Sequence, residues 1–330
     1  TESERRKAKE TLRSILRLNQ EYSEIFEETL EALMRRLAQE HIHFVNEQEL
    51  SPAQAEEVLD FFIRKINGTT SPIFINSPTF SPERHLRETL YLAVVLWHEA
   101  TEPEEKHEIA LLEVPTKALG RFFCLKDQGG ESYLMFLDDV LRYCLPYIFV
   151  GTNYARYEAY AFKFTKDAEF EIEQDLRTSV IEKVSRGVKR RKRGETVRVV
   201  FDAAMPPGLA NEVEEAARGD DHARDLLGVG DTRVGGGRYH NMRDLMTLPD
   251  FGRRELRFAP QPPLRPSARC YRESLIERIL QRDLCIHLPY QSFDYILRLL
   301  QEAAINPLVT EIRISLYRVA HNSKVIRALT

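Results

Sequence analysis

From Phe258 to Pro266 the chain reads Phe-Ala-Pro-Gln-Pro-Pro-Leu-Arg-Pro. Each proline fixes its own φ, lacks an amide hydrogen and biases the residue before it towards extended backbone, so neither a helix interior nor a central strand can run through this stretch. The chain must therefore fold as separate bodies on either side of an extended connection, and a domain boundary falls at 264/265. A length of 330 residues, 43% hydrophobic and 30% charged, is enough for two or three cores of ordinary globular kind.

Before that boundary the apolar pattern changes period. Over residues 1–41, Leu12, Ile15, Leu16, Tyr22, Ile25, Phe26, Leu30, Leu33, Met34 and Leu37 recur at steps of three and four, which predicts amphipathic helix, two of them. Ser51-Pro52-Ala53-Gln54 is a capping box with proline at the first helical position; it opens a helix carrying Val58, Phe61, Phe62 and Ile66 that stops at Asn67-Gly68. From Pro72 to about Phe170 short apolar runs alternate with turn residues, predicting strands at 73–75, 90–97, 109–114 and 133–137, and Ala161-Phe162-Lys163-Phe164-Thr165 alternates like a half-buried strand. A helix is expected over 176–188, a strand over 197–201, a helix through Tyr295 and Leu300, a buried strand over 309–319 and a last helix from Asn322 or Ser323. The sum is an α+β chain: a helical N-terminal remnant, a mixed α/β middle and a second α/β domain.

Composition excludes several classes. The longest apolar run, Leu90 to Trp97, is far short of the roughly 20 residues that span a bilayer. Cys124, Cys144, Cys270 and Cys285 show no metal-ligand spacing, which predicts reduced thiols. Thr1 in place of Met, and a helical pattern still running at Thr330, suggest an internal piece of a longer protein. With a net charge of −4, any binding of anions must come from local clusters.

Three such clusters stand out. Lys189, Arg190, Arg191, Lys192 and Arg193 are consecutive cations that read equally well as a solvated helix end or as a landing site for a polyanion. Gly235-Gly236-Gly237-Arg238-Tyr239-His240 fits either a tight turn or a nest of amides facing an anion, with Arg238 beside it as a contact. Asp138-Asp139, where a strand gives way to a helix, reads as a favourable helix start rather than a metal site. The cationic runs lack interleaved aromatics for stacking bases, which argues against nucleic acid.

The run Asp283 to Phe293 with Pro289-Tyr290-Gln291-Ser292-Phe293, then Ala303-Ala304-Ile305-Asn306-Pro307, then Ile312 to Arg318 and Ser323, resembles the opening of the first C-terminal catalytic domain of bacterial ATP-dependent polyphosphate kinases. Asn76-Ser77-Pro78, Leu137 to Cys144, Thr165 to Glu169 and Gly236 to Asn241 resemble segments of that family's head domain, so the likeness covers nearly the whole chain. The resemblance implies the end of an N-terminal helical domain over 1–41, a head domain that serves dimerisation over 42–264, and the start of a phospholipase-D-like catalytic domain over 265–330. It also implies reversible transfer of the terminal phosphoryl group of ATP to inorganic polyphosphate, with Mg²⁺, through a phosphohistidine, in a cytoplasmic homo-oligomer at most peripheral to a membrane.

Arg318 is the one residue onto which a family role carries: it would hold the transferred phosphoryl group to which Mg²⁺ also binds, as a cation that does not itself ligate the metal. The family's nucleophile lies in a His-Ala-Lys segment, and none of the nine histidines here is followed by Ala-Lys. The chain alone is therefore expected to be inactive as a kinase. Two alternatives are a non-catalytic polyanion-binding or dimerisation module and a phospholipase-D-like phosphodiesterase; the latter needs paired His-x-Lys segments, and the sequence has none.

Overall fold

The computed structural model describes residues 2–81, 85–87, 89–98, 107–166, 196–218, 233–316 and 323–329. It divides into two compact units, Thr1–Phe251 and Gly252–Thr330.

The first unit opens with α1 (Glu2–Gln39), a single helix of 38 residues where two were expected from the sequence. The physical reason is the absence of any Gly or Pro between residues 1 and 39, so nothing interrupts the hydrogen-bond ladder. After β1 (Ile42–Phe44), Ser51 caps α2 (Pro52–Phe61): its Oγ accepts from Gln54 N at 3.3 Å while Gln54 Oε1 accepts from Ser51 N at 2.9 Å. A π turn over Phe62–Ile66 completes that helix ahead of Asn67, as the Asn-Gly signal predicts.

Next come β2 (Ile73–Phe74), β3 (Leu90–His98), β4 (His107–Glu113), the short α3 (Thr116–Leu119), β5 (Phe122–Cys124), β6 (Ser132–Phe136) and α4 (Leu137–Ile148). The unit is completed by β7 (Tyr154–Lys166), β8 (Thr196–Asp202), α5 (Pro207–Arg218) and β9 (Arg233–Gly236). The main sheet has the order β2-β4-β3-β7-β8-β9; it is antiparallel except for the β8–β9 pair. A smaller sheet has the order β1-β6-β5.

Strand β3 explains the layering. Its side chains alternate between two faces, and both are buried. Leu92, Val94 and Leu96 join Val58 of α2, Phe62 of the π turn, and Val140 and Leu141 of α4, while Tyr91, Ala93 and Val95 join Met205, Leu209 and Val213 at and along α5. A central strand with helices on both faces reads as an unbroken apolar run, as Leu90 to Trp97 does. Each fully buried leucine-sized side chain contributes about 1.5–3 kcal/mol of transfer free energy.

The second unit contains α6 (Ala268–Arg272), α7 (Leu275–Gln281), α8 (Asp294–Ile305) and α9 (Lys324–Leu329). Within it the proline stretch is pinned: Leu264 N donates to Tyr290 O at 2.8 Å, and Ser292 N donates to Leu264 O at 2.9 Å. Glu302 of α8 reaches the start of α7, accepting from Leu275 N at 2.8 Å and from the Ser274 hydroxyl. Residues 309–316 do not form the buried strand expected for 309–319; they are irregular, with Ile314 and Leu316 exposed. Strand needs a hydrogen-bonded neighbour, and no strand of this unit among the described residues offers one. The expected helix over 176–188 lies outside the described residues.

Candidate functional site

Two carboxylates enter the fold at the junction of β6 and α4. Phe136, the residue at the cap position, makes no side-chain capping bond, so Asp138 and Asp139 fall in the first helical turn, where the helix field favours negative charge. That turn is fully buried. A buried carboxylate needs partners, and each here has its own set.

Asp138 faces Arg121, which stands just before β5: Nη1 lies 3.0 Å from Oδ2, and Nη2 donates to Oδ1 at 3.2 Å. The same Nη2 donates to the carbonyl of His240 at 3.0 Å. Burial pushes the Asp138 carboxyl above its ordinary range, against the pull of Arg121 and Arg142. Asp139 accepts from Arg142 Nη1 at 2.7 Å, Arg238 Nη2 at 2.9 Å and the Tyr239 hydroxyl at 2.6 Å. Burial, then Asp139, pushes the Tyr239 phenol far above its usual value, so it remains a donor. The Tyr239 ring stacks on Phe136 with centroids 4.1 Å apart.

The glycine run does not form the tight turn or the anion nest considered from the sequence. Gly235 and Gly236 end β9, and the triplet serves close approach. A Cβ on Gly236 would lie 2.9 Å from His240 Cε1; one on Gly237 would lie 2.0 Å from Glu27 Oε2. The Gly237 amide already donates to Glu27 Oε1 at 3.1 Å, so the protein's own carboxylate takes the place an external anion would occupy. Gly237→Ala is expected to displace the flexible Glu27 side chain and cost about 1 kcal/mol, one hydrogen bond. Gly236→Ala, pressed against a buried ring, should cost more, about 1–3 kcal/mol. Thermal unfolding of the two variants checks this order, and a Gly237→Ala loss larger than that of Gly236→Ala would contradict it.

Arg238 is therefore held by Asp139 and Glu47 and borders a cavity of 590 Å³ between α1 and β9 that also carries Glu24, Glu27, Glu28 and Glu31. A polyanion reaching Arg238 would have to compete with these carboxylates. Arg318 and the run Lys189, Arg190, Arg191, Lys192 and Arg193 lie outside the described residues. Sequence reasoning missed Arg121, Glu27 and Glu47, for which no spacing or motif gives a signal.

Among the described residues no group of three His, Cys, Asp or Glu is arranged to hold a metal ion. The buried aspartates do not fit one either, since guanidinium and phenol donors hold three of their oxygens and the Arg121 guanidinium cation lies 3.0 Å from the fourth, Asp138 Oδ2. Cys124, Cys144 and Cys285 are free thiols, and no helix of the described residues is long and apolar enough to cross a membrane. Chemically, then, the cluster is a structural joint: it fixes α4, β5 and the segment after β9 against one another.

Comparison with known proteins gives the family context. The family model described as polyphosphate kinase middle domain matches residues 53–248, and that described as polyphosphate kinase C-terminal domain 1 matches residues 274–330. The chain is similar to the polyphosphate kinase of Vibrio vulnificus (strain YJ016), 31% identical over 317 residues that cover 95% of this chain and 43% of the relative. Its likeness to the polyphosphate kinase of Escherichia coli (strain K12) is 31% identity over 320 residues, 96% of this chain and 44% of the relative. Among solved structures, the crystal structure of polyphosphate kinase from Porphyromonas gingivalis superposes with a TM-score of 0.70 at 28% identity, covering 98% of this chain and 45% of that one. The chain thus spans less than half the length of these relatives.

Proposed function

Because the chain belongs to the polyphosphate kinase family, we propose that it is the middle portion and the start of the first C-terminal domain of an enzyme that reversibly transfers the terminal phosphoryl group of ATP to inorganic polyphosphate. The observation that carries this reading is the pair of family matches, in order, across the two compact units. The covalent step would run through a phosphohistidine on a His-Ala-Lys segment that these 330 residues do not contain. Arg318 would sit beside the transferred phosphoryl group, where a guanidinium offers fixed donors to phosphate oxygens and offsets the charge of a loose transition state. Mg²⁺ would arrive with ATP as part of the substrate. ATP, ADP and polyphosphate are the expected ligands of the whole enzyme, which would act in the cytoplasm as a homo-oligomer joined through the head domain.

The test is covalent labelling. Incubated with γ-labelled ATP and Mg²⁺, the 330-residue chain is expected to acquire no acid-labile, alkali-stable phosphate, whereas a longer protein that includes a His-Ala-Lys segment should acquire it. Acid-labile label on the 330-residue chain would show that one of its own nine histidines is the nucleophile and would overturn this reading.

A further inference from the structure

In the Thr1–Phe251 unit a second cavity, of 410 Å³, is cationic where the first is acidic. Lys117 comes from α3, Lys163 from β7 and Arg243 from the 3-10 turn over Met242–Thr247. Arg121 also lines it, but its charge is matched by Asp138. The one acid of the lining, Asp244, accepts from Asn241 Nδ2 at 3.0 Å and lies 3.8 Å from Arg121 Nε. Set against Lys117, Lys163 and Arg243, it leaves an excess of two positive charges.

Those cations have donors to spare. Lys163 Nζ donates to Asn241 Oδ1 at 3.1 Å, which uses one of its three N–H groups. Among the described residues, neither Lys117 nor Arg243 is paired with a carboxylate, and both are exposed at the rim. Thr89 and Thr116 add hydroxyls. The lining contains no aromatic ring, so nothing in it offers a nucleobase a stacking surface. A cavity of this size takes a small ligand of several linked groups rather than a single ion.

We infer that this cavity binds an inorganic oligophosphate, a short run of linked phosphates, through Lys117, Lys163 and Arg243. Ammonium groups on flexible stems act as point charges that follow a repeating anion without demanding one geometry, and Arg243 adds a fork of donors. The choice of polyphosphate as the natural anion rests on the proposed kinase reading; the cationic chemistry of the cavity does not.

The experiment is calorimetric titration of the 330-residue chain, at low salt, with tripolyphosphate, orthophosphate and ATP. Tripolyphosphate is expected to bind more tightly than orthophosphate, and ATP no more tightly than tripolyphosphate. The double variant Lys117→Ala/Arg243→Ala, which removes two exposed side chains and should leave the thermal midpoint unchanged, is expected to weaken tripolyphosphate binding by roughly tenfold or more. A chain in which Lys189, Arg190, Arg191, Lys192 and Arg193 are all replaced by Gln should keep most of its affinity. Unchanged affinity in the double variant, ATP binding far more tightly than tripolyphosphate, or no binding by the unaltered chain would each overturn the inference. None of these results bears on phosphohistidine formation, which the labelling experiment reads separately.

Discussion

Asp139→Ala is expected to lower the free energy of unfolding by about 3–5 kcal/mol, the cost of breaking a buried ion pair by removing one partner. The carboxylate is fully buried and takes three donors at once, from Arg142, Arg238 and Tyr239. Without it the Arg142 guanidinium, itself buried, keeps only the Ala159 carbonyl, which accepts from Nε at 3.1 Å. Asp139→Asn retains one acceptor oxygen but no charge and should fall between the variant and the parent. Arg238→Ala should cost less than either, because that side chain is partly exposed and water replaces it on Glu47. Urea unfolding followed by circular dichroism gives the order. A loss below about 1 kcal/mol for Asp139→Ala would mean that the pair is solvated rather than buried.

Acidification should destabilise the first unit through His240. Burial lowers its imidazole pKa to about 4, against the smaller opposing pulls of the Ala161 carbonyl and Asp202. An unfolded chain restores the ordinary value of about 6.5. Between those two values the unfolded state carries a proton that the native state refuses, so stability is complete above about pH 6.5 and declines as pH falls towards 4. The full difference is about 3 kcal/mol. At pH 5, unfolding should take up about one proton less in His240→Gln than in the parent chain, a difference read from the pH slope of the unfolding free energy. An unaltered slope would assign the acid sensitivity to other groups.

What could be read from residues alone follows a physical line. Strands β3, β4 and β6 announce themselves as apolar runs because they supply the core, β7 shows only its last part, 161–165, by alternation, and the Ser51 capping box is legible because both of its hydrogen bonds lie within four residues. Local sequence also puts Asp138 and Asp139 at a helix start. It says nothing of Arg121, or of Arg238 and Tyr239 about a hundred positions onward, because contacts of that separation leave no spacing to detect. The glycine run misleads for a related reason: glycine marks backbone freedom and close approach alike, and here the neighbours Glu27 and His240 decide for the latter. Residues 309–316 have the alternation of a strand, but alternation supplies only the faces; the ladder has to come from another segment. The cationic cavity was invisible for the same reason as the ion cluster, since Lys117, Lys163 and Arg243 meet only once α3, β7 and the turn after β9 have come together.

The reach of Arg238 and Tyr239 back to Asp139 limits how this protein can be shortened. A chain cut after α5 would keep every strand of the main sheet but β9, yet would enclose an aspartate stripped of two of its three donors. The last dozen or so residues of the first unit therefore act as a clasp on the buried Asp139, and a minimal version of the unit must carry them.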